Sequence, residues 1–149
     1  MNSIEKKYLD MAVTVGQKSN CFRDDRKVGA VIVKNNKVLG TGCNEIPKEL
    51  KDCCSRGQCM RKTNKIKSGT CLEKCYSLCA EQYAIIDALK NGEDLNGATI
   101  YTTLSPCALC ARWIIFAGIK KVVFKSKYMD PFSEDLLKEA GIKIKLVEE

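Results

Sequence analysis

The chain of 149 residues contains no histidine. Any transition-metal site in it must therefore be built from sulfur, with carboxylate as the other option, which favours zinc over metals that prefer imidazole-rich surroundings. No apolar run reaches membrane-spanning length, so no membrane partner is expected. Residues 1–20 hold Glu5, Lys6, Lys7 and Asp10 in place of the unbroken apolar core of a signal peptide, and the expectation is a cytoplasmic protein. Aromatic residues make up only 7% of the chain and are not interleaved with basic ones. That pattern lacks the stacking platform a single-stranded nucleic acid requires.

What is present is cysteine, at ten residues, and a formal charge of +7. In a reducing compartment so many thiols point to metal binding rather than to a disulfide framework. The positive charge suits an anionic partner such as a nucleotide phosphate. Lysines are nevertheless spread along the chain, with only a loose cluster from Lys48 to Lys67, and a solvated surface explains them equally. The length predicts a single domain over 1–149, large enough for one core without cross-links.

Two short stretches organise the rest, Cys79-Ala80-Glu81 and Pro106-Cys107-Ala108-Leu109-Cys110. Two cysteines three apart at the start of an apolar-periodic segment place both sulfurs on one face of a first helical turn, beside the positive helix end. Cys79, 28 positions before Cys107, supplies a third thiolate from the start of another helical pattern. Three protein ligands leave one tetrahedral position of Zn²⁺ open to water, as in catalytic sites, and a purely structural clip has no need of a carboxylate two residues from a ligand. Glu81 is the expected proton carrier.

Ile4, Tyr8, Met11, Ala12 and Val15 recur at helical spacing and predict a helix over residues 3–19. Val28–Val33, a turn at Asn35-Asn36 and Val38–Thr41 predict a β-hairpin. Gly29 and Ala30 within it permit close approach of a ligand or a helix. Residues 43–77 show no sustained period and form a Cys-rich loop, long enough to need something to hold it, and a second zinc would do so. Beyond it come a helix over Leu78–Lys90, a strand over Ala98–Thr103, a helix opened by Pro106 and running to Gly118, and a strand over Lys121–Lys125. Ser133 is expected to cap a helix through Ala140, followed by a last strand over Ile142–Val147. The order αββαβαβαβ predicts an α/β protein, a three-layer α/β/α sandwich around a mixed five-stranded sheet.

Over nearly its whole length the sequence resembles the cytidine-deaminase superfamily, and within it the deoxycytidylate (dCMP) deaminases. The motifs that carry the resemblance are Cys79-Ala80-Glu81-Gln82 and Tyr101-Thr102-Thr103-Leu104-Ser105-Pro106-Cys107, with Val28-Gly29-Ala30-Val31-Ile32-Val33, Gly42-Cys43-Asn44, Gly57-Gln58-Cys59, Ser68-Gly69 and Glu73-Lys74-Cys75 in support. The resemblance implies a cytidine-deaminase-like fold and zinc-dependent hydrolytic deamination of a pyrimidine deoxynucleotide, dCMP to dUMP plus ammonia. It implies Cys79, Cys107 and Cys110 as ligands of the catalytic zinc, Glu81 as proton shuttle, and Asn44 as a contact to the nucleotide sugar. Arg26 and Lys27 are the phosphate candidates, with ordinary surface charge as the other explanation. A second zinc is implied at Cys21, Cys53, Cys59 and Cys75, with Cys54 and Cys71 as substitutes and free buried thiols as the alternative. A homo-oligomer, dimer-based or hexameric, is expected, and control by dCTP and dTTP is a family habit.

The sequence departs from the family at several points. Cys79 stands where dCMP deaminases usually have histidine, making the site three thiolates and its water less acidic unless hydrogen bonds to sulfur compensate. Gln82 occupies the position where some three-cysteine relatives have arginine, and Arg112 is the alternative donor toward a sulfur. Tyr83 and Glu45 replace asparagine and glycine near the expected substrate pocket, which leaves the exact nucleotide open. Cys43 replaces a tyrosine in a strand and is expected in the core. Tyr101, Tyr128 and Phe132 are expected in the core rather than stacked on a base. Two other functions share the zinc core, a deaminase of another cytosine nucleotide or of RNA or single-stranded DNA, and a non-catalytic zinc-stabilised binding module.

Overall fold

Alternating apolar residues build the sheet, and their two faces take different helices. The computed structural model describes residues 1–128 and 130–147. The strands are β1 (Gly29–Lys34), β2 (Lys37–Cys43), β3 (Thr99–Leu104), β4 (Lys121–Ser126) and β5 (Lys143–Leu146), and they lie in the order β2-β1-β3-β4-β5. β1 pairs antiparallel with both β2 and β3, while β3–β4 and β4–β5 are parallel. The hairpin expected between β1 and β2 turns on Asn35 and Asn36, both at positive φ, as a two-residue primed turn requires.

The helices are α1 (Ser3–Gly16), α2 (Cys53–Arg56), α3 (Met60–Thr63), α4 (Ala80–Lys90), α5 (Ala108–Phe116) and α6 (Pro131–Glu139). Val31 and Val33 of β1 turn toward α1, where they join Leu9, Ala12, Tyr101 and Val123 in one buried cluster. Ala30 and Ile32 turn the other way, into a larger core with Ala84, Ile85, Ile114 and Leu137 from α4, α5 and α6. Each fully buried Ile or Leu in these two clusters contributes about 1.5–3 kcal/mol by leaving water. The result is the three-layer sandwich expected from the pattern.

Close backbone approach fixes where the helices sit. A Cβ on Gly29 would lie 1.9 Å from the Ala12 carbonyl oxygen, so the small residue at the start of β1 serves packing against α1. A Cβ on Gly42 would lie 2.4 Å from the Ala84 nitrogen, so β2 lets α4 settle directly on its backbone.

Several boundaries differ from the sequence reading for reasons of capping. Pro106 lies before α5 rather than in its first turn, and Cys107 is the N-cap. Ser133 does not cap α6. Asp130 does, accepting from the Ser133 N–H at 3.2 Å, while the buried Ser133 hydroxyl donates to the Pro106 carbonyl at 2.7 Å. The Cys-rich loop carries two short helices, α2 capped by Asp52, and α3 beginning after Cys59. Tyr101 is buried, with its ring 5.2 Å from that of Tyr8, and Cys43 is buried too. Phe132, expected inside, is 57% exposed because it sits on the outer side of α6.

Candidate active site

Two helix N-termini meet at the thiols. Cys79 is the N-cap of α4 and Cys107 the N-cap of α5, so neither sits inside its helix, whereas the sequence reading places both in a first helical turn. An N-cap side chain faces the unpaired N–H groups of the first turn, a position that favours an anion. Gln82 closes the other half of the capping arrangement at α4, its Oε1 accepting from the Cys79 N–H at 3.1 Å. At α5 the Asp130 carboxylate accepts from the Ala108 N–H at 2.8 Å with one oxygen while capping α6 with the other. One side chain thereby fixes the start of the helix that presents Cys107 and Cys110.

The sulfurs of Cys79, Cys107 and Cys110 all lie within 4.8 Å of one another, and among the described residues this is the one group of three or more ligand-type side chains so placed. Hydrogen bonds from the Cys110 and Cys79 thiols, then from the backbone N–H groups of Cys110 and Leu109, pull Cys107 well below the usual thiol range. The same bonds push Cys79 and Cys110 up. Two or three thiolates at this distance in a buried place repel one another. A divalent cation removes that obstacle, and the donor set of three buried sulfurs with no imidazole fits Zn²⁺.

Glu81 is the buried carboxyl beside this cluster, 4% exposed. Burial first, then the charge at Cys107, pushes its pKa up to about 7. It lines a cavity of about 220 Å³ that also reaches Cys79, Cys107, Asn44, Arg26 and Tyr128. Asn44 is clamped at both ends of its amide, Oδ1 accepting from the Val28 N–H at 2.8 Å and Nδ2 donating to the Arg26 carbonyl. One hydrogen of that amide remains for a bound molecule.

The sequence-predicted residues divide at this pocket. Arg26 lines it, its Nη2 donating to the Ser68 hydroxyl at 3.0 Å, whereas Lys27 is exposed and outside the lining. Tyr128, expected in the core, is half-buried in the pocket wall, with its backbone N–H donating to the Ser105 hydroxyl at 2.6 Å. Arg23, Arg61 and Ser68 also line the cavity, and none of them is named as a site residue from the sequence, where they fall in stretches without a sustained period. Glu45 and Tyr83 do not face this pocket. They line a separate cavity of about 330 Å³ between α4, β2 and the end of α1. Arg112 is exposed.

The four cysteines named for a second metal share one neighbourhood. Burial raises the pKa of Cys21, and the charges at Cys75 and Cys59 raise it further. Cys53 is raised in the same way by burial and then by Cys59, Cys75 and Cys21. They are not drawn together as tightly as the first three sulfurs. The substitutes Cys54 and Cys71 are both exposed.

This fold, with a thiol triad and a buried glutamate at two helix N-termini, defines a class of zinc-binding deaminases. The family model for the cytidine and deoxycytidylate deaminase zinc-binding region matches residues 2–126, and the chain belongs to that family. It is 34% identical over 139 residues to the deoxycytidylate deaminase of Schizosaccharomyces pombe, covering 93% of this chain and 42% of the relative. It therefore spans less than half the length of that yeast protein. Against the deoxycytidylate deaminase of Enterobacteria phage T4 it is 33% identical over 167 aligned positions, covering 91% of this chain and 86% of the relative. The crystal structure of dCMP deaminase from the cyanophage S-TIM5 in complex with dCMP and dUMP matches with a TM-score of 0.77 at 30% identity, over 98% of this chain and 99% of that one.

Proposed function

We propose that the chain hydrolyses dCMP to dUMP and ammonia, with zinc held by Cys79, Cys107 and Cys110 and with Glu81 as the proton shuttle. The observation that carries the reading is the buried Glu81 carboxyl at the floor of the pocket, adjoining three sulfurs that need a cation to ionise together. Zinc, when bound, supplies the Lewis acidity that makes water a nucleophile near neutral pH. The remaining work falls to the chain. In the balanced reaction a water oxygen enters at C4 of the base and ammonia leaves, and Glu81, buried beside the sulfurs and lining the pocket, is placed to accept and to return protons. Asn44, pinned by Val28 and Arg26, is the sugar contact, and Arg26 at the pocket wall is the phosphate ligand. Lys27 acts at most as a more distant charge.

The relatives named deoxycytidylate deaminase and the cyanophage complex with dCMP and dUMP support this choice of substrate. A screen of cytosine nucleosides, monophosphates and triphosphates for ammonia release tests it. Charge-assisted phosphate contacts are worth roughly 1.5–3 kcal/mol each, so dCMP should exceed deoxycytidine by about a hundredfold or more in kcat/KM if two such contacts form. Comparable rates on the two would instead mark a nucleoside deaminase, and efficient deamination of an RNA hairpin would mark a nucleic-acid enzyme.

The proposal includes a second, structural zinc at Cys21, Cys53, Cys59 and Cys75, supported by their mutual electrostatic neighbourhood. It also includes a cytoplasmic location, in keeping with ten free thiols. A dimer-based homo-oligomer is supported by α5, which leaves Phe116 92% and Trp113 40% exposed in the single chain. Light scattering on the purified protein checks the assembly, and a monomer at micromolar concentration would remove it.

A further inference from the structure

Three arginines line the pocket, and one of them has both of its terminal guanidinium nitrogens engaged with protein. The Arg61 guanidinium, at the start of α3, donates to four backbone carbonyls of one loop. Nη1 reaches Cys71 O at 2.7 Å and Lys74 O at 3.3 Å, and Nη2 reaches Thr70 O at 2.6 Å and Lys67 O at 3.2 Å. Residues 67–74 thus wrap around a single cationic head. The wrapping needs such a centre, because the segment bends through left-handed backbone at Gly69 and Cys71, at φ of 80° and 45°, as the chain also does just before it at Lys65, at 52°. Two of these are not glycine, and L residues adopt that region at a cost.

The loop so held is one wall of the pocket. Its Ser68 hydroxyl accepts from Arg26 Nη2 at 3.0 Å and bonds the Tyr128 side chain, and Gly69 packs against the Tyr128 hydroxyl. A continuous path therefore runs from Arg61 through the loop backbone to Ser68, and from Ser68 to Arg26.

We infer that Arg61 is a positioning residue which sets the substrate-phosphate end of the pocket by holding the 67–74 loop, and is not itself a phosphate ligand. This rests on the reading of the pocket as a nucleotide monophosphate site. A ligand role asks for free guanidinium hydrogens, and four of the five N–H donors of Arg61 are directed at carbonyls. A lysine keeps the charge but presents a point donor, unable to span four carbonyls set in a ring.

The test uses the zinc-loaded protein and Arg61→Gln, Arg61→Lys and Ser68→Ala. Two readouts are taken, steady-state kinetics on dCMP and deoxycytidine, and limited trypsin cleavage at Lys65, Lys67 and Lys74. Arg61→Gln and Arg61→Lys should both raise KM for dCMP about tenfold, leave kcat within about twofold, change deoxycytidine turnover little, and speed cleavage within the loop. Ser68→Ala should reproduce part of the KM rise without added cleavage. Rescue of KM by lysine with an intact loop would overturn the inference and make Arg61 a phosphate ligand. Unchanged trypsin protection in Arg61→Gln would also overturn it. If the unaltered protein fails to deaminate dCMP while Arg61→Gln still loosens the loop, the substrate reading falls and the clamp stands. Should Arg61→Gln not fold, Arg61→Lys and Ser68→Ala carry the same comparison.

Discussion

Burial and the charge at Cys107 act in the same direction to push the Glu81 pKa up to about 7, and both residues lie within two short motifs. That is why it was legible in the sequence. Glu81→Gln keeps the shape and removes the titratable proton, so the variant should fold and hold its zinc but lose at least about a hundredfold in turnover, since general acid–base catalysis supplies roughly 10²–10⁴. Ammonia release alongside metal analysis checks it, and near-normal turnover would take Glu81 out of the mechanism. Arg23, Ser68 and Tyr128 were not legible as pocket residues. They come from three separate loops, and only the folded chain brings them to one cavity. Lys27 shows the reverse failure, since adjacency to Arg26 in sequence says nothing about direction when the backbone between them leaves a 3₁₀ turn.

At the scale of elements, periodicity placed every strand and each of the four longer helices, because apolar alternation and 3.6-residue spacing are local properties. Caps were read less well. Asp130 caps one helix and steadies a second, a tertiary relation that Ser133, the better local candidate, hid. Two glycines separate stability from activity. Gly29→Ala would drive a methyl into the α1 backbone and Gly42→Ala into that of α4. Each should destabilise by about 1–3 kcal/mol or more, as overpacking does. Only Gly42→Ala displaces the helix that presents Cys79 and Glu81, so it should also lower kcat at temperatures where both variants are folded. Urea denaturation with parallel kinetics separates the two, and equal kcat in both would show that α4 tolerates the shift.

For the whole molecule, the most distant side-chain contact joins the first helix to the last strand. Glu5, 2% exposed, accepts from Lys121 at 3.2 Å and from Lys145 at 2.8 Å. The Lys145 hydrogen bond, with the Asn2 N–H and Lys121 behind it, outweighs burial and lowers the Glu5 pKa to about 2. A depressed carboxylate contributes stability above its unfolded pKa, and that contribution is lost as pH falls from the ordinary glutamate range toward 2. Glu5→Gln should therefore cost about 2 kcal/mol at neutral pH, after allowance for the solvent exposure of the lysines, and nothing below the folded pKa. Thermal melts across that range test it, and a difference that persists at the acid end would assign the effect to packing. Zinc content also belongs to this scale. More than one zinc per chain is expected from protein purified under reducing conditions without chelator, and a clean stoichiometry of one would return Cys21, Cys53, Cys59 and Cys75 to the free thiol pool.

The sheet ends on β5, whose sequence Lys143-Ile144-Lys145-Leu146 is short, largely exposed and charged at alternate positions. Bringing a second such strand alongside would set lysines against lysines before any backbone bond formed, and charged, brief border strands are a known guard against edge-to-edge aggregation. Edge-to-edge pairing between copies of this chain is consequently closed off at the β5 border of the sheet.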